Sequence, residues 1–263
     1  MNNPFHSFVL ASSLKRIQSR HSLVVFPEPV NYYPNYNIRP GNHSWVITND
    51  SPKLFQLFGF GLKGLPAIQP FLRAEGKRNQ DDDPNYNGSN AIFLQPGIKK
   101  LIRFRRCLVL ADAFITGPPE SPFLVYLLNK QRPFCFAGIW NHTKAEETDS
   151  DVFSFAVITT VTNPFIASLG TKRMPVILEP KDELTWLKSS QLSDILRLLH
   201  PYPEEKMNAY PVSPFLDDSS NVFSVIQPKG DPLRETASRV DLSRNRRDKH
   251  NFSGYTFAER RKA

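Results

Sequence analysis

The sequence predicts an α+β protein that is rich in β-strands. Three separated stretches, residues 103–114, 153–165 and 171–180, are apolar runs that end at polar or basic turns, as buried strands do. The chain contains 23 prolines, which favour loops and short, interrupted elements over long helices. Segments with apolar residues at helical spacing are short, so we expect helices only at the sides of the strands.

The first half of the chain begins with a predicted short helix at residues 13–20, followed by a proline-rich connection. Strands are predicted at residues 44–48 and 54–58, because the intervening NDSP has the composition of a turn. Residues 59–64 are rich in glycine, but they lack the GxxxxGK(S/T) pattern of a phosphate-binding loop and therefore indicate a turn or bulge. A polar loop is predicted at residues 76–90.

Buried strands dominate the second half and are predicted at residues 106–111, 123–128, 134–140, 153–160 and 175–178. The charged segment 142–151 connects two of them as a hairpin. Helices are predicted at 179–188, which is acidic near its start and has a lysine at its end, and at 190–199. The segments 206–216 and 221–228 alternate in the manner of edge strands.

The chain is expected to form one domain, residues 1–230, and a basic tail, residues 231–263, because no repeat or linker interrupts the earlier part. The tail holds nine Lys/Arg against five Asp/Glu, so it carries half of the net charge of +8. With few apolar residues it is expected to be disordered. Such a tail either adds sequence-independent attraction to phosphates or only keeps the chain soluble.

Several functional classes are disfavoured. No run of about 18 apolar residues occurs, so no membrane span is predicted. The first residues lack the features of a secretory signal, and we expect a cytoplasmic protein. Cys107 and Cys135 lie in apolar runs, as buried free thiols do. The six histidines and two cysteines show no metal-ligand spacing, so neither a metal nor a small-molecule cofactor is predicted, and the oligomeric state stays open.

Six stretches, in order along the chain, together resemble the SRAP family of SOS response-associated peptidases. They are residues 47–62 (ITNDSPKLFQLFGFGL), 71–76 (FLRAEG), 105–114 (RRCLVLADAF), 136–140 (FAGIW), 158–163 (ITTVTN) and 173–178 (RMPVIL). The resemblance covers roughly residues 30–228, and the segment 201–213 is similar to the C-terminal part of one branch of the family. It implies a barrel-like core of mixed and antiparallel strands with short flanking helices. It also implies a link to the DNA-damage (SOS, abasic-site) response and a grip on damaged single-stranded DNA.

The resemblance implies a catalytic set that this chain lacks. The family captures the aldehyde of an abasic site with an N-terminal cysteine, which an Asn positions, while a Glu and a His transfer protons. The matching positions here are Asn2 for the cysteine, Phe71 for the Asn, and Thr116 for the Glu. Gly170 or Thr171, depending on the placement of a short gap, takes the position of the His. We therefore predict no catalytic residue of the family's kind and lean against an enzyme.

Charged residues of the binding motifs persist. Arg73 and Glu75 remain from the FLRAE stretch, and Arg173 precedes Met-Pro. A guanidinium donates two hydrogen bonds at once to a phosphate, so the two arginines are candidate DNA contacts. Alternatively, Arg73 and Glu75 pair with each other, and Arg173 caps a neighbouring strand end.

Uncharged residues near the same strand ends are further candidates for DNA contact. Thr160 and Asn163 end the ITT strand, where a hydroxyl and an amide can meet a DNA backbone. Phe60 takes the position of a family tryptophan and would either stack on a base or belong to the core. Asp112 is expected to be structural, as an acceptor of backbone N–H groups.

Three functions are consistent with the sequence. The first is a single-stranded DNA-binding protein of the SRAP fold that has lost its catalysis. The second is an enzyme that still crosslinks or cleaves with a different nucleophile, such as the Met1 amine, which forms an imine with an aldehyde. The third is a regulatory interaction module that does not bind DNA and would expose an apolar patch instead of a basic groove.

Overall fold

The computed structural model of the chain describes residues 5–75, 91–128, 132–145, 148–214 and 221–235. Met1, Asn2, the predicted loop at 76–90 and residues 236–263 of the predicted tail lie outside these ranges.

Thirteen strands and five α-helices occur in the described residues. The strands are β1 (Ser7–Leu10), β2 (Asn35–Ile38), β3 (His43–Thr48), β4 (Phe55–Phe60), β5 (Phe71–Arg73), β6 (Arg106–Ala111), β7 (Ala113–Thr116), β8 (Phe123–Leu127), β9 (Phe134–Lys144), β10 (Asp151–Val161), β11 (Arg173–Pro175), β12 (Ile177–Leu178) and β13 (Met207–Pro211). The helices are α1 (Leu14–Arg20), α2 (Ile98–Phe104), α3 (Pro164–Ser168), α4 (Pro180–Lys188) and α5 (Leu192–Leu196). Short 3₁₀ turns lie at Ala91–Leu94, Glu204–Lys206 and Phe223–Ile226.

Five strands close into a barrel. Their order is β10-β4-β3-β6-β9, and β9 pairs back onto β10, with Phe155 opposite Trp140. All of these pairings are antiparallel except β10–β4, in which Phe155 lies beside Phe60 in a parallel register. β5 and β11 extend from β10, and β12 extends from β9. The α+β fold with a mixed, barrel-like core is thus confirmed.

A second, antiparallel sheet has the order β13-β8-β7-β1-β2. The chain passes from the barrel to this sheet at Asp112, between β6 and β7. Its buried carboxylate accepts hydrogen bonds from the backbone N–H of Ala11 (2.7 Å) and from both the N–H and the hydroxyl of Ser12 (2.6 Å each). The structural role predicted for Asp112 is confirmed, because these bonds hold the end of β1 at the junction.

Aromatic rings join the two sheets. Phe60 and Phe155 of the barrel stack with ring centroids 5.1 Å apart, and Phe8 of β1 meets Phe60 and Phe136 edge-on at 5.6 and 5.7 Å. All four side chains are buried, and each contributes about 1.5–3 kcal/mol by leaving water. The alternate residues of the second sheet, including Tyr126, form a smaller apolar cluster on its other face.

A buried arginine ties helices to the barrel. The guanidinium of Arg106, at the start of β6, donates to five carbonyl oxygens: Ile102, Arg103, Trp186, Leu187 and Ser189. Burial lowers the pKa of Arg106 to about 10, which still leaves it charged at neutral pH. The indole N–H of Trp186 in α4 donates to the carbonyl of Cys107 (3.0 Å), so α4 is fixed along β6.

The predicted elements are largely present, but β1, β2, β5 and β7 were not predicted as strands, and three predicted elements differ in type or extent. Residues 221–228 do not form a strand, because Phe223–Ile226 is a 3₁₀ turn that packs on the second sheet. The helix predicted at 190–199 is limited to Leu192–Leu196. The predicted strand 175–178 is divided at Val176 between two strands that pair with different neighbours. Among the described residues, no helix has the length and apolar character required to cross a membrane.

The chain continues against the domain beyond the predicted boundary at residue 230. The N–H of Leu233 donates to the carbonyl of Ala209 at 2.8 Å, and the guanidinium of Arg234 lies over the ring of Phe165 at 4.2 Å. The division into residues 1–230 and 231–263 stays a prediction, since 236–263 are outside the described residues.

Candidate functional site

The candidate site lies at the C-terminal end of β10. In β10, Thr159 is flanked by Arg73 of β5 on one side, and Val161 is flanked by Arg173 of β11 on the other. The motifs FLRAE, ITTVTN and RMPVIL are therefore neighbours in space although they are far apart in the chain. Hydrogen bonding between strands fixes their relative positions.

A buried ion pair forms the floor of the site. Arg173 Nη2 donates to Glu75 Oε2 at 2.7 Å and to the carbonyl of Thr159 at 2.9 Å, while Arg173 Nε donates to Thr159 Oγ1 at 3.2 Å. Arg173 is 5% exposed and Glu75 is 3% exposed. The partner that the structure gives to Glu75 is thus Arg173. Both charges are compensated inside the fold.

Thr160 and Asn163 are buried and have internal partners. Thr160 Oγ1 donates to Glu75 Oε1 (3.0 Å), which also accepts from the N–H of Val161 (3.1 Å). Asn163 is the N-cap of α3: its Oδ1 accepts from the N–H of Ile166 at 2.8 Å, and its Nδ2 donates to the carbonyl of Tyr202 at 2.7 Å. These bonds stabilise the site from within, as N-caps and buried acceptors do.

Two threonines meet where the resemblance places the Glu and the His. Thr116 Oγ1 and Thr171 Oγ1 are 2.8 Å apart, and the N–H of Gly117 donates to Thr171 Oγ1 at 3.0 Å. Gly170 has a φ of +80° and follows α3, with its N–H bonded to the carbonyl of Ala167. A glycine is favoured there because few other residues adopt this backbone conformation. Gly170 therefore has a backbone role after the end of α3, and Thr171 is the residue whose side chain reaches Thr116.

Phe71 belongs to the aromatic core rather than to a polar pocket. Its ring meets Phe5 edge-on at 4.8 Å and Phe60 at 5.5 Å, and the side chain is half-buried. Phe60 itself is 2% exposed. The position of the family Asn is therefore filled by apolar packing, and the core alternative for Phe60 matches its location.

The sequence did not single out His6, although it lies beside this site. His6 Nε2 is 2.7 Å from the carbonyl oxygen of Gly117, next to the threonine pair. Because a carbonyl only accepts, this ring nitrogen carries the proton in that bond. Apolar residues dominate FHSFVL, but the pairing of β1 with β7, more than 100 residues away, carries no local sequence signal.

Two basic side chains reach solvent around the buried pair. Arg73 is half-exposed at the end of β5, and Lys172, between Thr171 and Arg173, is exposed. Lys172 follows Thr171 directly in the chain, and Arg73 lies opposite Thr159, so both basic residues are near the end of β10.

Strands that carry the family-like motifs form a closed barrel with mixed pairing, as the resemblance to the SRAP family implies. The model of the family "SOS response associated peptidase (SRAP)" matches residues 7–218. The chain therefore belongs to the SRAP family.

The chain is similar in sequence to named relatives and similar in fold to a solved structure. The abasic site processing protein YoqW of Bacillus subtilis is 27% identical over 225 residues, which cover 81% of this chain and 94% of YoqW. The abasic site processing protein HMCES of Rattus norvegicus is 25% identical and is covered over 67% of its length, against 78% of this chain. A crystal structure of a Bacteroides thetaiotaomicron protein has the same fold, with a TM-score of 0.67, 23% identity, and coverage of 85% of this chain and 99% of that one.

Proposed function

We propose that this chain acts in the DNA-damage response as a protein that holds single-stranded or abasic DNA without a covalent bond. The first support comes from its relatives, which are named abasic site processing proteins and match most of the chain. Membership of the same family makes damaged DNA the expected partner.

The observation that carries the proposal is the threonine pair. Carboxyl and imidazole groups act as general acids and bases, whereas a threonine hydroxyl does not ionise in the accessible pH range. Thr116 and Thr171 bond to each other at 2.8 Å, and Phe71 packs on Phe5 where the family has an amide. The site thus keeps a polar surface but lacks the proton-transfer groups that the resemblance implies.

Binding is assigned to the exposed basic groups. Arg73 and Lys172 are the candidate phosphate contacts, since a guanidinium and an ammonium both bind phosphate oxygens. Arg173 is assigned a positioning role: through Glu75 and Thr159 it fixes the end of β10 beside Arg73. Glu75, Thr160, Asn163 and Phe60 support this surface from below and make no DNA contact in the proposal.

Fluorescence anisotropy with labelled oligonucleotides tests the binding. The purified chain is titrated with an intact single strand, the same strand with one abasic site, and a duplex, at several salt concentrations. Arg73→Ala is expected to weaken single-strand binding and to lower the slope of log K against log salt by about 0.7, the value for one phosphate contact. Lys188→Ala, which removes one exposed charge at the end of α4, is the matched control and should leave the slope unchanged.

Two results would refute the proposal. One is the absence of salt-sensitive binding at low ionic strength, which would favour a regulatory module that does not act on DNA. The other is an equal loss in Arg73→Ala and Lys188→Ala, which would indicate general charge attraction only.

A gel assay separates this proposal from an enzyme. Incubation with abasic DNA, with and without borohydride, should give no band that survives denaturation. A band that needs borohydride would identify an imine from an amine such as that of Met1, which is outside the described residues. A band without borohydride would show a lasting covalent bond and contradict the proposal.

A further inference from the structure

Three potential metal ligands converge where the end of α1 and the first turn of α4 meet β9. His21 is the C-cap of α1, Cys135 lies in β9, and Glu183 lies in the first turn of α4. One ligand atom from each lies within 4.8 Å of the other two, and His21 Nε2 is 3.8 Å from Cys135 Sγ. The spacing of 114 residues between the histidine and the cysteine explains why no sequence motif indicated them.

We propose that His21, Cys135 and Glu183 form a binding site for a thiophilic divalent transition metal of the zinc class. Zn²⁺ binds sulfur at about 2.3 Å and imidazole nitrogen at about 2.0–2.1 Å; at bond angles of about 110–120° these lengths separate S and N by about 3.6–3.8 Å. The observed 3.8 Å matches this separation. One imidazole, one thiolate and one carboxylate leave a fourth position of a tetrahedron open.

The surroundings hold the histidine in the form that a metal requires. Burial, and to a smaller extent the charge of Arg20, lowers the pKa of His21 to about 4, so the imidazole is neutral at pH 7 and its lone pair is available. The ring lies edge-on against Phe55 at 6.0 Å, which restricts its orientation. A neutral, oriented imidazole is the form that coordinates zinc.

The cysteine would lose its proton on binding. Burial and the nearby Glu183 carboxylate raise the pKa of Cys135, so without a metal it is a thiol. Coordination forms the metal–sulfur bond, breaks the S–H bond and releases that proton to solvent; no oxidation state changes. The positive charge of the metal also offsets the repulsion between the Cys135 thiolate and the Glu183 carboxylate.

The Arg20 side chain affects both the charge of the site and the path by which the ion enters. Its Nη2 donates to Glu183 Oε1 at 2.6 Å, so the second carboxylate oxygen is the one assigned to the metal. His21 and Glu183 are 9% and 7% exposed, whereas Cys135 is 0% exposed. The ion therefore enters between α1 and α4, past the Arg20 side chain.

Cobalt spectroscopy on the full chain tests the site, because Co²⁺ replaces Zn²⁺ and gives a thiolate-to-metal absorption band. Chelator-treated protein is expected to bind one Co²⁺ per chain, with that band, and Zn²⁺ should displace it. Cys135→Ser should abolish the band and weaken Zn²⁺ binding by about 100-fold or more. Cys107→Ser is the matched control, since Cys107 is the other fully buried thiol and is not part of the cluster, so it should retain the band.

Other outcomes decide against the site. If wild-type protein gives no thiolate-to-cobalt band, the three residues form only a hydrogen-bonded cluster with Arg20. If Cys135→Ser keeps the band, or Cys107→Ser loses it while circular dichroism shows it folded, the metal binds elsewhere. His21→Gln and Glu183→Gln provide a second route, because each should weaken binding even if the serine variant does not fold. None of these metal-binding results depends on whether the protein binds DNA.

Discussion

Replacement of Arg173 by methionine separates a structural role from a DNA-contact role for this arginine. Arg173 is buried and holds Glu75 by an ion pair of 2.7 Å. The methionine fills similar space but leaves the Glu75 carboxylate, among the described residues, with the Thr160 hydroxyl and the Val161 N–H as its remaining donors. A carboxylate that loses its buried counter-charge destabilises the folded state.

The magnitude follows from the burial of both partners. Removal of one member of a buried ion pair costs about 3–5 kcal/mol, because the remaining charge is uncompensated. Glu75→Gln keeps the shape and an amide oxygen but leaves the charge of Arg173 unpaired, so a similar or slightly smaller loss is expected. The double variant removes both charges, and its loss should be smaller than the sum of the single losses by about 1–3 kcal/mol.

Urea unfolding followed by circular dichroism measures these differences at pH 7, with linear extrapolation to water. DNA binding is then measured on the variants at a temperature at which each is folded. If Arg173→Met unfolds within about 1 kcal/mol of the wild type while its affinity for single strands falls tenfold, Arg173 contacts DNA directly and the structural reasoning is wrong. Additive single and double losses would also refute the coupling.

Three further perturbations follow from buried groups. Arg106→Lys should destabilise the fold by about 2–4 kcal/mol in urea unfolding, because an ammonium has three donors for the carbonyl oxygens that the guanidinium now satisfies. Gly138→Ala should cost about 1–3 kcal/mol and lower the Tm in calorimetry, because its Cβ would lie 2.8 Å from Cys107 Sγ; an unchanged Tm would contradict this packing. In the presence of chelator, the free energy of unfolding should fall as the pH drops from 6.5 to about 4, by up to about 3 kcal/mol, because the unfolded chain protonates His21 before the folded chain does. The same measurement on His21→Gln isolates the contribution of His21 to the pH dependence of the free energy of unfolding. Burial raises the pKa of Glu183, which adds a slope of opposite sign to both proteins and therefore cancels in the difference.

The strands could be predicted because their information is local. The runs of β6, β9 and β10 are apolar and short, and the charged segment between β9 and β10 has the composition of a hairpin connection, as the antiparallel pairing confirms. The contacts that join distant segments of the chain have no local signal in the sequence. The pairing of β1 with β7 joins residues that are more than 100 positions apart, and nothing in FHSFVL selects that partner.

The sequence identified individual residues of the site, but it did not show which of them pair with each other. The sequence indicated Arg73, Glu75 and Arg173, and it left open a pair between Arg73 and Glu75. In the structure β5 ends at Arg73, and the chain turns before Glu75 reaches Arg173 from a strand almost 100 residues away. Strand ends are the least predictable part of an element, and here they determine the ion pair.

If positions 71, 116 and 171 correspond to the family's Asn, Glu and His, as we propose, the three residues found there are coherent as a set. Thr116 is 1% exposed, so a carboxylate there would require a charged or hydrogen-bonding partner to offset its burial. The threonine pair satisfies its own hydrogen bonds at 2.8 Å without any charge, and Phe71 adds apolar contacts beside it. Under this correspondence, a site without the acidic partner would not need an imidazole at position 171, and a site without both would not need a polar side chain at position 71. The scaffold tolerates the change because the Arg173–Glu75 pair, which holds β10 to its neighbours, is independent of the three altered positions. Under the same proposal, a site without an acidic group beside Lys172 would also be more attractive to phosphate, which is why we connect the absence of proton-transfer groups with DNA binding.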